Sequence, residues 1–268
     1  PRIADMIQAY VFAGAAGSGR RAVMADLISS GLSLGAIEGP VAVALPLGEP
    51  RDGTDALFED RAALVRWNGL ADGAAIPALP EGVGTLFILL DGRADPVDQF
   101  ENLAKWFAAN PHVSLARIVS VISSRLFFEN AGLKIWMDAC VRFSDAVLFS
   151  SREGVPNKWL SDVQARFRKE CYPCVFAFVK EKGLDNPAEI LCPEARRMSL
   201  AFDYLGEPVP EAGAEEPDYE IVDETDEGEE EIVEDDEEDE LPPPEPWFER
   251  DAAGRRKIRL PDIVEYLK

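Results

Sequence analysis

An α/β fold, with a mostly parallel sheet covered by helices on both faces, is the architecture this sequence predicts. Three observations carry that expectation. Short apolar runs alternate with longer helix-like stretches through residues 1–206, the order that builds βαβ units. A glycine-rich turn, Gly14-Ala15-Ala16-Gly17-Ser18-Gly19, lies directly between the first apolar run and the first helix-like stretch. Charge is segregated: residues 207–249 hold 22 of the 50 Asp and Glu and no Lys or Arg, so a disordered acidic C-terminal tail is expected beyond a globular body.

The elements follow in order. Strand-like runs are Ala9–Ala13, Val41–Leu47, Thr85–Leu90, Ile118–Ile122, Ala146–Phe149 and Cys174–Val179. They are short and apolar, as in strands buried on both faces. Helix-like stretches are Arg21–Ser30, Pro96–Ala109, Leu126–Val141 and Asn157–Glu170. Residues 250–268 hold 3 acids against 6 bases, which leaves 25 acids and 21 bases in residues 1–206, so the body is nearly neutral although the chain carries −23. Three regions result: an α/β domain over 1–206, an acidic linker over 207–246, and a short basic and apolar docking segment over 247–268. The linker cannot bury enough apolar surface to offset its ordering entropy. The docking segment restores bulky residues, Trp247-Phe248 and Leu260-Pro261-Asp262-Ile263-Val264, beside Arg255-Arg256-Lys257; a frayed terminus is the competing reading. No apolar run approaches the roughly 18 residues of a membrane helix, no signal peptide is read at the start, and four cysteines are too few for a disulfide framework. A cytoplasmic protein is expected, with no nucleic acid or membrane as partner.

The glycine-rich turn fits G-x-x-x-x-G-K-[ST] at Gly14 and Gly19, the pattern that cradles phosphate with backbone N–H groups at a helix N-terminus. Arg20 stands at the lysine position and Arg21 at the magnesium-binding hydroxyl. A guanidinium can meet a phosphate but does not reproduce a compact ammonium in a tight loop. Arg21 places fixed positive charge where a dication should bind. A dinucleotide site of the short-chain dehydrogenase kind is disfavoured: the last glycine comes one residue early, and no Tyr-x-x-x-Lys pair exists.

Over about residues 7–200 the order of motifs resembles the CobW-type metallochaperone GTPases (CobW/HypB/UreG-like), a P-loop NTPase-like fold. Gly14–Arg21 echoes their G-x-x-G-S-G-K-T-T loop. Leu45-Pro46-Leu47-Gly48-Glu49 keeps the Gly-Glu of their N-E-F-G-E segment. Asn68-Gly69-Leu70-Ala71-Asp72-Gly73 falls at their cysteine metal motif. Gly92 with Ala94-Asp95-Pro96 matches E-T-x-G-x-A-D-P, and Ser144–Glu153 aligns with the guanine motif. The departures are consistent too. The metal-motif cysteines are absent, Leu89 replaces an expected glutamate, and the guanine-reading positions are Ser150, Ser151 and Glu153. The resemblance therefore implies a degenerate member: a pseudo-GTPase acting as a nucleotide- or protein-binding module, with weak binding of GTP or another nucleotide, doubtful magnesium, no catalytic residue and no metal site. The alternative is an atypical active GTPase or metallochaperone with a rearranged site. Candidate nucleotide-binding residues are Gly14, Gly17, Ser18, Gly19, Arg20, Arg21, Ser150 and Glu153. Candidate protein contacts are the acidic tail and residues 247–268. Tethered carboxylates of the tail are also candidate competitors for the anion loop.

Cys171-Tyr172-Pro173-Cys174 invites a redox or metal reading. It closes a helix-like stretch instead of opening one, so the helix dipole does not favour a thiolate. A zinc site would need Cys140 or Cys192 as further thiols. Structural thiols lead, ahead of metal and redox. His112 reads as a loop residue.

Overall fold

The structure, a computed structural model, describes residues 6–37, 39–51, 53–203 and 244–267. Seven parallel strands form one sheet: β1 (Ile7–Ala13), β2 (Val41–Pro46), β3 (Ala62–Trp67), β4 (Thr85–Leu89), β5 (Val113–Ser123), β6 (Ala146–Ser150) and β7 (Val175–Phe178), in the order β3-β2-β4-β1-β5-β6-β7. Six helices accompany them: α1 (Arg20–Leu34), α2 (Pro96–Ala109), α3 (Ser124–Glu129), α4 (Lys134–Phe143), α5 (Asn157–Lys169) and α6 (Pro187–Leu191).

Strand periodicity sorts the core into two layers. Ala9, Val11 and Ala13 of β1 face Phe100 and Leu103 of α2, Trp136 and Phe143 of α4, and Leu160 and Phe167 of α5. Tyr10 and Phe12 face the other way, toward Met24, Leu27 and Ile28 of α1 and Ile190 and Leu191 of α6. β1 lies between β4 and β5, pairing Val11 with Ile88 on one side and Ile118 on the other. That central strand delivers the glycine-rich loop to the carboxyl edge of the sheet, where opposite-going connections open a crevice.

Local chemistry sets the helix ends. Asp95 caps α2, accepting from Val97 N–H at 2.8 Å, and Pro96 occupies the first helical position. Gly35 ends α1 with φ 65°, in the left-handed region.

All six predicted strands form, and β3 is an addition to them. The predicted single helix over Leu126–Val141 is instead two helices, α3 and α4, separated by a 3-10 turn at Ala131–Leu133. Asn130 is the cause: its φ of −130° and ψ of 81° leave the helical region, and its side-chain amide donates to Leu126 O at 2.8 Å, closing α3. α6 was also not anticipated by the apolar pattern.

The predicted acidic linker falls almost wholly on residues 204–243, outside the described residues. The segment after it packs on the domain's own surface: the Phe248 ring stacks on Phe143 of α4 at 5.4 Å, and Ile263 is 2% exposed within the main core layer.

Candidate functional site

Gly14–Gly19 joins β1 to α1, and its glycines are required by close approach and by backbone angle. A Cβ on Gly14 would lie 2.3 Å from Val121 O on β5, and Gly17 and Gly19 have φ of 78° and 85°. The loop leans on the connection between β4 and α2. Ala16 N–H donates to Gly92 O at 2.9 Å, and a Cβ on Gly92 would sit 2.3 Å from both Ala16 N and Arg20 Nη2. Gly92 is thus fixed by two neighbours at once.

Both arginines turn inward. Arg20 donates from Nη1 to Leu90 O at 2.6 Å and from Nη2 to Glu49 Oε1 at 2.5 Å. Gly92 N–H donates to the same Glu49 oxygen at 2.6 Å. Arg21 donates to Asp55 Oδ1 at 2.8 Å, and to Glu49 Oε2 and Pro50 O at 3.3 Å each. Arg66, on β3, adds a bond to Glu49 O at 2.5 Å and approaches Asp55 Oδ2 at 3.8 Å. Arg20, Arg21, Glu49 and Asp55 are all below 9% exposed, so these contacts are hardly screened. Burial alone would raise the Glu49 carboxyl; the Arg20 charge and hydrogen bond, the Gly92 N–H and the Arg21 charge outweigh it and hold the group below its ordinary value. Asp91, just beyond β4, is moved the other way, held above its ordinary value by burial and by the Glu49 charge against the pull of the Arg93 N–H.

Arg20 and Arg21, expected to meet a phosphate, direct their guanidinium groups to protein acceptors. Each guanidinium is matched by protein carboxylates from the β2–β3 connection, and neither arginine is among the lining residues of the two clefts beside the loop. The tail carboxylates expected to compete for the loop fall almost wholly on residues 204–243, outside the described residues. These residues do not fit a magnesium ion: a cation, itself ion-paired, takes the place of the hydroxyl that would ligate it.

The other candidates separate. Ser150 Oγ donates to Ser18 O at 2.8 Å and is itself 6% exposed, so it ties β6 to the loop instead of reaching outward. The Ser18 hydroxyl is buried without a partner. Two clefts flank the loop. One, of about 650 Å³, is walled by Ala16, Gly17, Arg93, Arg125, Glu153 and Tyr266. The other, of about 520 Å³, is lined by Gly17, Ser18, Gly19, Ser150, Lys180 and Lys182 among others. The structure thus brings Gly17, Ser18, Gly19 and Ser150 together and places Glu153 across the loop from them. Sequence reasoning missed Asp55 and Arg66 entirely, and saw in Glu49 only a motif remnant. The available signal was physical: two arginines at the start of a core-facing helix demand carboxylates nearby.

The cysteines are four free thiols. Cys140 and Cys174 are buried, and burial pushes the Cys174 thiol up to about 12, away from thiolate chemistry. Cys171 has φ 59° at the end of α5. Among the described residues no group of three or more His, Cys, Asp and Glu is placed to hold a metal ion. His112 lies in the turn between α2 and β5, its carbonyl accepting from Ile7 N–H at 3.0 Å. Among the described residues no helix is long and apolar enough to cross a membrane.

No protein-family profile matches the chain, and no curated protein sequence does. Solved structures do show similarity. A Zn(II)-bound triple mutant of the YjiA GTPase is 13% identical, over 75% of this chain and 69% of that one, with a TM-score of 0.42. The signal recognition particle receptor FtsY from Elizabethkingia anophelis, in complex with GDP, is 13% identical over 69% of this chain; this chain spans 62% of its length, with a TM-score of 0.42. The Zn(II)-bound YjiA GTPase from E. coli is 11% identical, over 71% and 66% of the two chains, with a TM-score of 0.37.

Proposed function

We propose that this chain is a degenerate, CobW-like P-loop protein, a pseudo-GTPase that works as a binding module and not as a hydrolase. One observation carries the reading: Arg20 and Arg21, at the two reactive positions of the loop, are buried in ion pairs with Glu49 and Asp55. Phosphoryl transfer draws nearly all its acceleration from positioning and from a metal that neutralises developing charge. A loop whose two reactive positions hold ion-paired arginines, with no hydroxyl at the position that would ligate a metal, supplies neither. The clefts on either side leave room for weak nucleotide contact through Gly17, Ser18, Gly19 and Ser150 on one side and Glu153 on the other. That contact is insensitive to magnesium. A protein partner is expected to meet the acidic segment, since the apolar side chains Trp247, Phe248 and Ile263 that were expected to dock it pack against this chain's own core.

Titration of the full chain with GDP and GTP, with and without magnesium, tests this. Weak binding unchanged by magnesium, with no GTP turnover, is the expected result. Robust magnesium-dependent hydrolysis overturns it and makes the chain an atypical enzyme. Arg20→Lys with Arg21→Thr is expected to raise magnesium-dependent affinity in variants that keep the fold, because it restores an ammonium and a hydroxyl at the two reactive positions.

A further inference from the structure

The terminal segment, residues 244–267, has a construction unlike the rest of the chain. It contains no α-helix, only 3-10 turns at Pro246–Phe248 and Ile263–Tyr266. Among the described residues its backbone hydrogen bonds stay inside the segment: Asp251 N–H to Arg255 O at 2.8 Å, Lys257 N–H to Glu249 O at 3.0 Å, and Leu267 N–H to Val264 O at 3.3 Å. Side chains alone attach it to the domain. Glu245 accepts from Arg142 Nε on α4 at 2.7 Å. Arg256, 9% exposed, donates to Asp98 on α2 at 2.8 Å and pairs with Glu101, which Arg250 also meets at 2.8 Å. Trp247 and Phe248 rest on the core layer, and Ile263 enters it. Such a unit can leave without breaking any ladder of the sheet.

Its course ends at the loop. Tyr266 and Leu267 form one wall of the 650 Å³ cleft whose other walls are Ala16 and Gly17 of the loop, Arg93 and Arg125. The helix it clasps, α2, begins three residues after Arg93, and its capping segment contains Gly92, the partner of Ala16. Described residues on either side of positions 204–243, Ser199 and Glu245, meet the same residue of α4. Ser199 N–H donates to Arg142 O at 3.1 Å, and Arg142 binds Glu245 through its side chain. The chain after 244 is thereby returned to the domain at α4 and led across α2 to the loop.

We propose that residues 244–267 are a detachable lid, clasped to α2 by the pairs of Arg250 and Arg256 with Asp98 and Glu101, which supplies one wall of the loop's β5-side cleft and steadies the contact of Gly92 with Ala16. Release of the lid removes that wall and loosens residues 14–19 and 92–96 together. Ionic attachment makes the clasp weaken with salt. This inference stands whether or not the loop binds nucleotide.

Amide hydrogen exchange on the full chain tests it. Asp98→Arg with Glu101→Arg is expected to raise exchange at least tenfold over 247–267, and to raise it over 14–19 and 92–96, while β1, β4 and β5 keep their protection. Adding Arg250→Glu and Arg256→Glu restores the charge pairing in reverse and is expected to return all three regions to slow exchange. Ile263→Asp attacks the lid from its own side and serves where the α2 variant does not fold; the same three regions are expected to respond. A freed 247–267 with unchanged 14–19 and 92–96 overturns the lid. So does a segment that stays protected after charge reversal, or one that fails to recover when the reversed charges are matched.

Discussion

The two flanks of the glycine-rich loop are built on opposite plans. Toward β4 and β2 the crevice is filled by protein: Arg20, Arg21 and Arg66 against Glu49 and Asp55, closed around Gly92. Toward β5 and β6 it stands open as clefts of about 650 and 520 Å³. A loop backbone shaped for an anion therefore does not by itself make an anion site. What decides is which charges face it and whether they are already matched.

The largest expected effect lies in the filled flank. Glu49 serves both loop arginines, so Glu49→Ala leaves two buried guanidinium groups short of a partner. Breaking a buried pair from one side costs about 3–5 kcal/mol, read as a fall in the urea or thermal midpoint. Arg20→Met with Glu49→Leu is expected to recover part of that loss, because no guanidinium is then left at position 20 without its carboxylate, while Arg21 keeps Asp55 but loses Glu49. A loss under about 1 kcal/mol for Glu49→Ala shows that the flank is not held by its charges. The Glu49 contribution also has a pH signature. Its folded-state carboxyl is held below the ordinary value of 4.5, so the stabilisation is complete above that pH and is lost as pH falls through the folded value. The gap between the wild type and Glu49→Gln should close on acidification over that window.

The second effect separates the lid from the core. Ile122 on β5 and Ile263 in the lid are both buried, at 0% and 2% exposure. Truncating a core isoleucine to alanine costs about 2–5 kcal/mol, and Ile122→Ala is expected to show that as a loss of global stability. Ile263→Ala is capped by the docking energy of the lid, since the segment detaches once docking costs more than release. Its signature is local exchange over 247–267 with a smaller change in the global midpoint. Equal global losses for the two variants make the segment part of the core.

The same division explains what was legible in the sequence. Strands β1, β4 and β6 are buried on both faces and read as plain apolar runs. β3 sits at the sheet edge, is only partly buried and carries Arg66 into the ion-pair cluster, so its apolar run, Ala62–Val65, is short and stops at a charge. The helix over 126–141 looked continuous because apolar residues recur on both sides of Asn130 and Gly132, where the structure breaks it. At the site, glycine spacing and the substituted arginines were visible because they are local. The fate of the arginines was not: Glu49 and Asp55 lie 29 and 34 residues from Arg20 and Arg21. An unpaired arginine and a paired one are spelled alike. The lid was legible as apolar residues returning after the acid run, but nothing local said that it would fold back on α2.

A smaller effect belongs to the seam between the flanks. Ser150→Ala removes the donor to Ser18 O at 2.8 Å. A single buried hydrogen bond of this kind contributes about 1 kcal/mol. The expected result is a modest loss of stability with faster exchange confined to residues 14–19 and 150–153.

The smallest effect is expected in the open flank, at Arg125. Its guanidinium meets Glu129 one turn along α3 at 2.9 Å, with both side chains well exposed. Water and salt screen such a pair, and ordering two long side chains offsets what attraction remains. Arg125→Ala should leave the unfolding midpoint where it is in buffer of physiological ionic strength. Yet Arg125 is one of the cations on the wall of the larger cleft, so the variant is expected to weaken binding of an anionic probe such as inorganic phosphate, above all at low salt. Arg93→Ala, on the opposite wall, should do the same. The contrast with Glu49→Ala is the point of the measurement: in the filled flank a charge holds the protein together, and in the open flank it waits for something outside. A midpoint that falls for Arg125→Ala as far as for Glu49→Ala erases that distinction, whereas an unchanged midpoint with weakened phosphate binding places the remaining ligand chemistry of the loop on its β5 side.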